Sequence, residues 1–173
     1  MDFYKTEFTI AMPYGAAVFL SLIKHPLKSR LFLFTRLPSA YFAGVRVRET
    51  DEKKCMVSVP YKWFSRNPFR STYFACLSMA AEMSTGVLAM MHSYQRRPAV
   101  SMLVVKMESG YFKKATGRTY FTCENGQEIQ SAIDMAITSG AAQSCVTRST
   151  GVNEQGEQVA SFTITWSFKA RKG

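Results

Sequence analysis

At 173 residues the chain is long enough for one domain with its own core and too short for two. Hydrophobic residues make up 47% of it and charged residues only 20%, which excludes a disordered polyelectrolyte. Lys and Arg outnumber Asp and Glu by 22 to 12, and the resulting net charge of +10 predicts attraction to polyanions: nucleic acid, anionic lipid or a nucleotide-bearing ligand.

The basic residues are scattered rather than blocked. Arg46 and Arg48, Lys53 and Lys54, Arg96 and Arg97, Lys113 and Lys114, and Arg171 and Lys172 form separate pairs, as on a solvated sheet face or helix rim. The first apolar run, "GAAVFLSLI", follows a segment containing Asp2 and Glu7. It is too short to span a bilayer and lacks the flanks of a secretory signal, so neither export nor a membrane span is expected.

Residues 14–37 carry apolar positions at helical spacing and predict two short helices broken at Pro26, because the residue before a proline is pushed out of the helical region. Residues 43–60 then alternate. Val45 and Val47 point one way and Arg46 and Arg48 the other, and Val57 and Val59 resume the pattern after a charged turn, which reads as a strand pair or one bent strand. A loop from Tyr61 to Thr72 holds Asn67 and Pro68. A long apolar helix follows from Tyr73 to Tyr94 and is ended by Arg96, Arg97 and Pro98.

Strand signals come next in "AVSMLVVKM", "YFKKA" and "GRTYFTC". Asn125 with Glu128 has the spacing of a capping box and opens an amphipathic helix that closes at Gly140. The last stretch has the clearest period. Phe162, Ile164, Trp166 and Phe168 share one face and Ser161, Thr163, Thr165 and Ser167 the other, which makes a half-buried strand. The sum is an α+β architecture: an antiparallel sheet of five or six strands around one dominant helix. Cys55, Cys76, Cys123 and Cys145 lack the spacing of a zinc or redox motif and read as free thiols in a reducing cytoplasm; no metal or cofactor is expected.

The long helix contains a single acid, Glu82. Ala75, Leu77, Met79, Ala80, Met83, Val87, Leu88 and Met90 leave it little wet surface, so this carboxylate has two fates. In one it is paired where the helix meets a neighbour, by backbone or by Ser78 or Thr85 one turn away. In the other it faces a cavity with a raised pKa, the condition of a general base. A histidine-dependent nucleophile has poorer support, since only His25 and His92 exist and nothing sets either beside a Ser and an acid.

The element order, the loop with Asn67, the helix with its mid-helix acid, the "FKKATG" between strands and the terminal strand resemble the hotdog-fold thioesterases. The resemblance is strongest to those related to the phenylacetate-pathway thioesterase. The "SVPYKWFSRN" style of strand and loop, the N-terminal helices and the inserted helix resemble still more a hotdog family known only as a domain of unknown function. The resemblance runs from about residue 15 to 170 and implies a single domain over 1–173, with an N-terminal helical extension (1–42) and a hotdog core (43–173).

In the thioesterase pattern an Asn lies fifteen positions before the helix acid, as Asn67 does before Glu82, and a His-Gly-Gly triplet starts the helix. Tyr73, Phe74 and Ala75 stand in its place. The resemblance thus implies Glu82 as base or nucleophile, Asn67 as the residue orienting water or thioester, and the Phe74 amide as oxyanion donor. Tyr73, Ala75, Ser78 and Met79 would contact substrate. It implies an acyl-coenzyme A or acyl-carrier-protein thioester as substrate, and a homodimer, or a tetramer, with sites shared between subunits. Scattered cations would hold the phosphates of the coenzyme or the acidic surface of the carrier.

The alternative is a non-catalytic hotdog protein that binds a fatty acyl chain or coenzyme A. It accounts for the missing glycines and for the adaptable Met79, Met83, Met90 and Met91, although such methionines are also ordinary core filler. Nucleic-acid binding, suggested by "YFKKATGRTYF", is disfavoured because those aromatics alternate as strand core.

Overall fold

The computed structural model describes residues 14–171, so Asp2, Glu7 and Lys172 lie outside the described residues. Three helices open the chain: α1 (Tyr14–Lys24), α2 (Pro26–Arg36) and α3 (Pro38–Ala43). The break at Pro26 is where the sequence predicts it, with His25 extended and Pro26 in the first turn of α2. The third helix was not anticipated. Pro38 restarts it in the same way, and Gly44 closes it at a φ of 81°, a conformation that favours glycine.

Strands β1 (Arg46–Thr50) and β2 (Cys55–Val59) form an antiparallel pair, the first of the two arrangements the alternation allows. A short 3-10 turn, Trp63–Ser65, leads to α4 (Phe74–Ser93). Then come β3 (Val100–Tyr111), β4 (Thr119–Cys123), α5 (Gly126–Ser139), β5 (Gln143–Val152) and β6 (Gln158–Ala170). The six strands make one antiparallel sheet in the order β1-β2-β4-β5-β6-β3, curved around α4.

Two strand assignments change. "YFKKA" is not a strand, because after Tyr111 the Phe112 and Lys113 amides both turn to the Val159 carbonyl (2.8 and 3.3 Å). The Ala115 carbonyl then accepts Thr72 N (2.7 Å) and Thr72 Oγ1 (3.1 Å), tying this segment to the loop that starts α4. The missing strand is β5. Its buried positions are Cys145, Thr147, Ser149 and Gly151 while Val146 is exposed, so small and polar residues carry the alternation that apolar ones normally reveal. Ser149 Oγ meets Ser84 Oγ of α4 at 2.8 Å, and Thr147 Oγ1 donates to the Ile164 carbonyl at 2.9 Å, which is how polar side chains are held there.

The core is the inner face of the sheet against α4, with Phe121 of β4 buried and Phe162, Ile164 and Phe168 buried as the period of β6 requires. On the other side Phe19 of α1 packs on Tyr94 (ring centroids 5.5 Å apart), and Ile129 and Ile133 of α5 fill the far end. Asn125 starts α5 but does not cap it: its Oδ1 accepts Arg148 N (2.9 Å) and its Nδ2 donates to Glu128 (3.1 Å), clipping α5 to β5. Helix α4 is long and apolar enough to cross a membrane by length and composition, but 67% of that stretch is buried inside the fold.

Candidate functional site

The sheet, α1 and α5 cover α4 on every side but one. Ala75, Ser78, Met79, Glu82 and Met90 recur at helical steps and are half-buried, while the residues between them are buried. Glu82 therefore stands on the least covered stripe of the helix, together with three of the residues expected to contact substrate.

Beyond Met79 that stripe is roofed by α1 and α2. The cavity there, partly open to solvent and about 680 Å³ in volume, has Glu82 in its wall. Phe19, Ile23, Leu33, Val47, Met83 and Met102 make it apolar; Lys24, Arg30, Arg46 and Arg48 bring cations to it, against one further acid, Glu49. Arg48 donates through Nε to Ser58 Oγ (2.7 Å), and burial and the neighbouring Arg118 and Arg46 push its pKa down, the mark of a cluster short of negative charge.

Among the described residues the Glu82 carboxylate has no hydrogen-bond or ion-pair partner. Ser78 Oγ donates instead to the Phe74 carbonyl (3.0 Å). Thr85 Oγ1 donates to the backbone carbonyl of Glu82 (2.9 Å) and accepts Trp166 Nε1 (2.9 Å). Burial, with no cation to offset it, pushes the Glu82 carboxyl up from its ordinary value. Of the two fates open to this carboxylate, the cavity-facing one is realised.

Asn67, in the loop before α4, and Phe74, at its first position, lie away from this cavity. With Tyr73, Tyr111, Phe112 and Lys113 they line a second hollow at the N-terminus of α4. Asn67 Oδ1 accepts the Phe69 and Ser71 amides (3.0 and 3.2 Å) and Nδ2 donates to Ser71 Oγ (3.1 Å), which folds the loop and leaves one Nδ2 proton uncommitted. Tyr73 caps α4 with backbone alone, and the Phe74 and Ala75 amides have no acceptor among the described residues. The Phe74 ring is 56% exposed and packs edge-on against Tyr73 (4.9 Å).

One chain does not bring these groups together. Phe74 and Glu82 are separated by eight residues of helix, roughly 12 Å along its axis at about 1.5 Å per residue, too far for both to touch one carbonyl group. Sequence reasoning had also missed Gly86 and the cationic cavity wall. Glycine is costly inside a helix, so its place one turn after the lone acid was a usable signal. Arg30 carried none, since it is one of many basic residues.

A family model for DUF4442, a domain of unknown function, matches residues 28–168. The chain belongs to the DUF4442 family. Solved structures share the fold of this DUF4442 chain at low identity. A Pseudomonas aeruginosa protein of unknown function, described as a probable thioesterase, superposes with a TM-score of 0.72 at 18% identity over 84% of this chain and 97% of its own. A thioesterase family protein from Silicibacter pomeroyi gives 0.60 at 16% over 84% and 98%. A Haemophilus influenzae thioesterase gives 0.59 at 10% over 81% and 88%. No curated protein matches the chain. The DUF4442 chain thus has the thioesterase-like hotdog fold: an antiparallel sheet wrapped on a central helix.

Proposed function

We propose that this protein hydrolyses an acyl thioester, carried by coenzyme A or an acyl-carrier protein, at a site shared by two copies of the chain. The observation that carries the reading is the Glu82 carboxylate, unpaired among the described residues, in the wall of an apolar cavity, since a largely desolvated acid without donors is poised to take a proton. In the reaction Glu82 accepts a proton from water while the hydroxide forms a bond to the thioester carbonyl carbon. The oxyanion is held by the unpartnered amides of Phe74 and Ala75, and the C–S bond then breaks. The thiolate recovers the proton and leaves a free acid and a free thiol. Direct attack by the carboxylate, through an anhydride that water then opens, balances equally.

The oxyanion amides come from the second copy, because the separation within one helix excludes them from the same chain. Strand β3 supports such pairing: its outer edge is unpaired among the described residues, and Leu103, Val105 and Met107 on it are exposed. Asn67 keeps its remaining proton for the thioester oxygen or the water, beside Phe74. The acyl chain occupies the apolar cavity, and Arg46, Arg48 and Arg118 suit the phosphates of the coenzyme. Four free, buried cysteines suit a reducing cytoplasm.

A second reading, an acyl-binding protein without catalysis, is favoured by one observation. Phe74 stands where the thioesterase pattern has glycine, and its ring shares the hollow that the oxyanion amides face. Thiol release across a panel of acyl-coenzyme A esters of different chain length separates the two. Release dependent on Glu82 supports hydrolysis, and tight binding with no release supports the second reading.

A further inference from the structure

Helix α2 wears its apolar residues on the outside. Leu27, Leu31 and Phe34 follow one another at helical spacing on the solvent face, Leu27 being 74% and Leu31 63% exposed, while only Leu33 of this helix is buried. Lys28 and Arg30 are exposed too and flank this ridge on its two sides, as their positions on a helix of 3.6 residues per turn require.

The ridge does not end with the helix. Phe34 meets Phe42 edge-on (ring centroids 6.3 Å apart), Phe42 meets Phe64 (5.9 Å), and Phe64 meets Trp63 (6.1 Å), which is 75% exposed. The charge along this stretch of chain is predominantly positive. From Phe8 through Arg48 the sequence holds six Lys and Arg and no Asp or Glu, and Glu49, the next acid, lines the cavity on the inner side of α2.

We propose that α2 and the Phe42, Phe64 and Trp63 ridge form a docking face for an anionic membrane surface. Exposed leucines and aromatics enter the boundary between headgroups and acyl chains, and flanking cations meet lipid phosphates; an interfacial helix combines these two features. The charge decides the occupant. A second copy would set like charges face to face, and a neutral surface would leave the cations unused. The inner side of α2, through Ser29 and Leu33, walls the Glu82 cavity, so docking would set that cavity against the bilayer where acyl chains reside. Docking itself does not depend on the hydrolysis proposed above.

The test uses the full chain and vesicles of phosphatidylcholine, with or without one-third phosphatidylglycerol. Of the 2 tryptophans Trp166 is buried, so Trp63 reports contact with lipid. The expected result is co-sedimentation and a blue shift of Trp63 emission with the anionic vesicles only, reversed by high salt. Both Leu31→Glu and Lys28→Glu should weaken binding by roughly tenfold or more with circular dichroism and melting unchanged. The proposal is overturned by absence of binding to the anionic vesicles, or by equal binding to neutral ones. It is overturned equally by variants that bind as well as wild type, by a Leu31→Glu variant that dissociates a dimer, or by binding to an acidic carrier protein in place of vesicles.

Discussion

Gly86 lies one helical turn after Glu82, and a Cβ built on it would stand 2.9 Å from the Glu82 carboxylate oxygen. The glycine hydrogen leaves the carboxylate its room; the same Cβ would also stand 3.5 Å from the Trp166 ring. Gly86→Ala should therefore turn the carboxylate aside. Alanine favours a helix by roughly 0.5 to 1 kcal/mol over glycine, so melting should not fall far, whereas thiol release should drop by roughly 10- to 100-fold. Calorimetry and a release assay on one preparation check both.

The raised pKa of Glu82 sets a pH dependence. Hydrolysis needs the carboxylate, so thiol release should rise with pH through a value above the ordinary carboxylate range. Stability runs the other way. A carboxyl whose pKa is higher folded than unfolded contributes its full stability below the unfolded value and loses it as pH rises through the folded one. Glu82→Gln should melt with wild type in acid and above it at neutral and alkaline pH. Melting curves of the pair across pH measure the difference.

Phe74→Gly retains the backbone amide and removes the ring from its hollow. Release should increase, because the oxyanion donors stay in place while access improves. If both forms are inert and both still bind acyl chains, the protein is a binder and not a hydrolase.

Shared sites require two chains. Light scattering at micromolar concentration should give a dimer or a multiple of it, and Val105→Lys on the exposed edge of β3 should shift it toward monomer and lower release in proportion. A wild-type monomer that hydrolyses thioesters would remove the composite site.

Sequence pattern made most of the fold legible: in the alternation of β6, in the uniformly apolar α4, and at Pro26, which divides the first two helices, though not at Pro38, which starts the third. It failed at β5, whose inward side chains are Cys, Thr, Ser and Gly, because hydrogen bonds rather than hydrophobic contrast hold them against α4 and β6. "YFKKA" misled in the opposite way. Its aromatics look like strand residues, but the backbone is spent on Val159 and on the loop before α4. At the site, Glu82 was conspicuous as the one acid in an apolar helix. Its lack of a partner depended on where Ser78 and Thr85 send their hydroxyls, a matter of rotamers that no spacing reveals.

The central claim is that the Glu82 charge does chemistry and holds nothing together. Glu82→Gln preserves shape and removes that charge, and one measurement decides the matter: single-turnover thiol release by the variant beside wild type, on a sample whose melting temperature is recorded at the same pH. Release should fall by roughly 100-fold or more while the melting temperature holds or rises. Unchanged release, or a loss of release that only follows a lowered melting temperature, would contradict it.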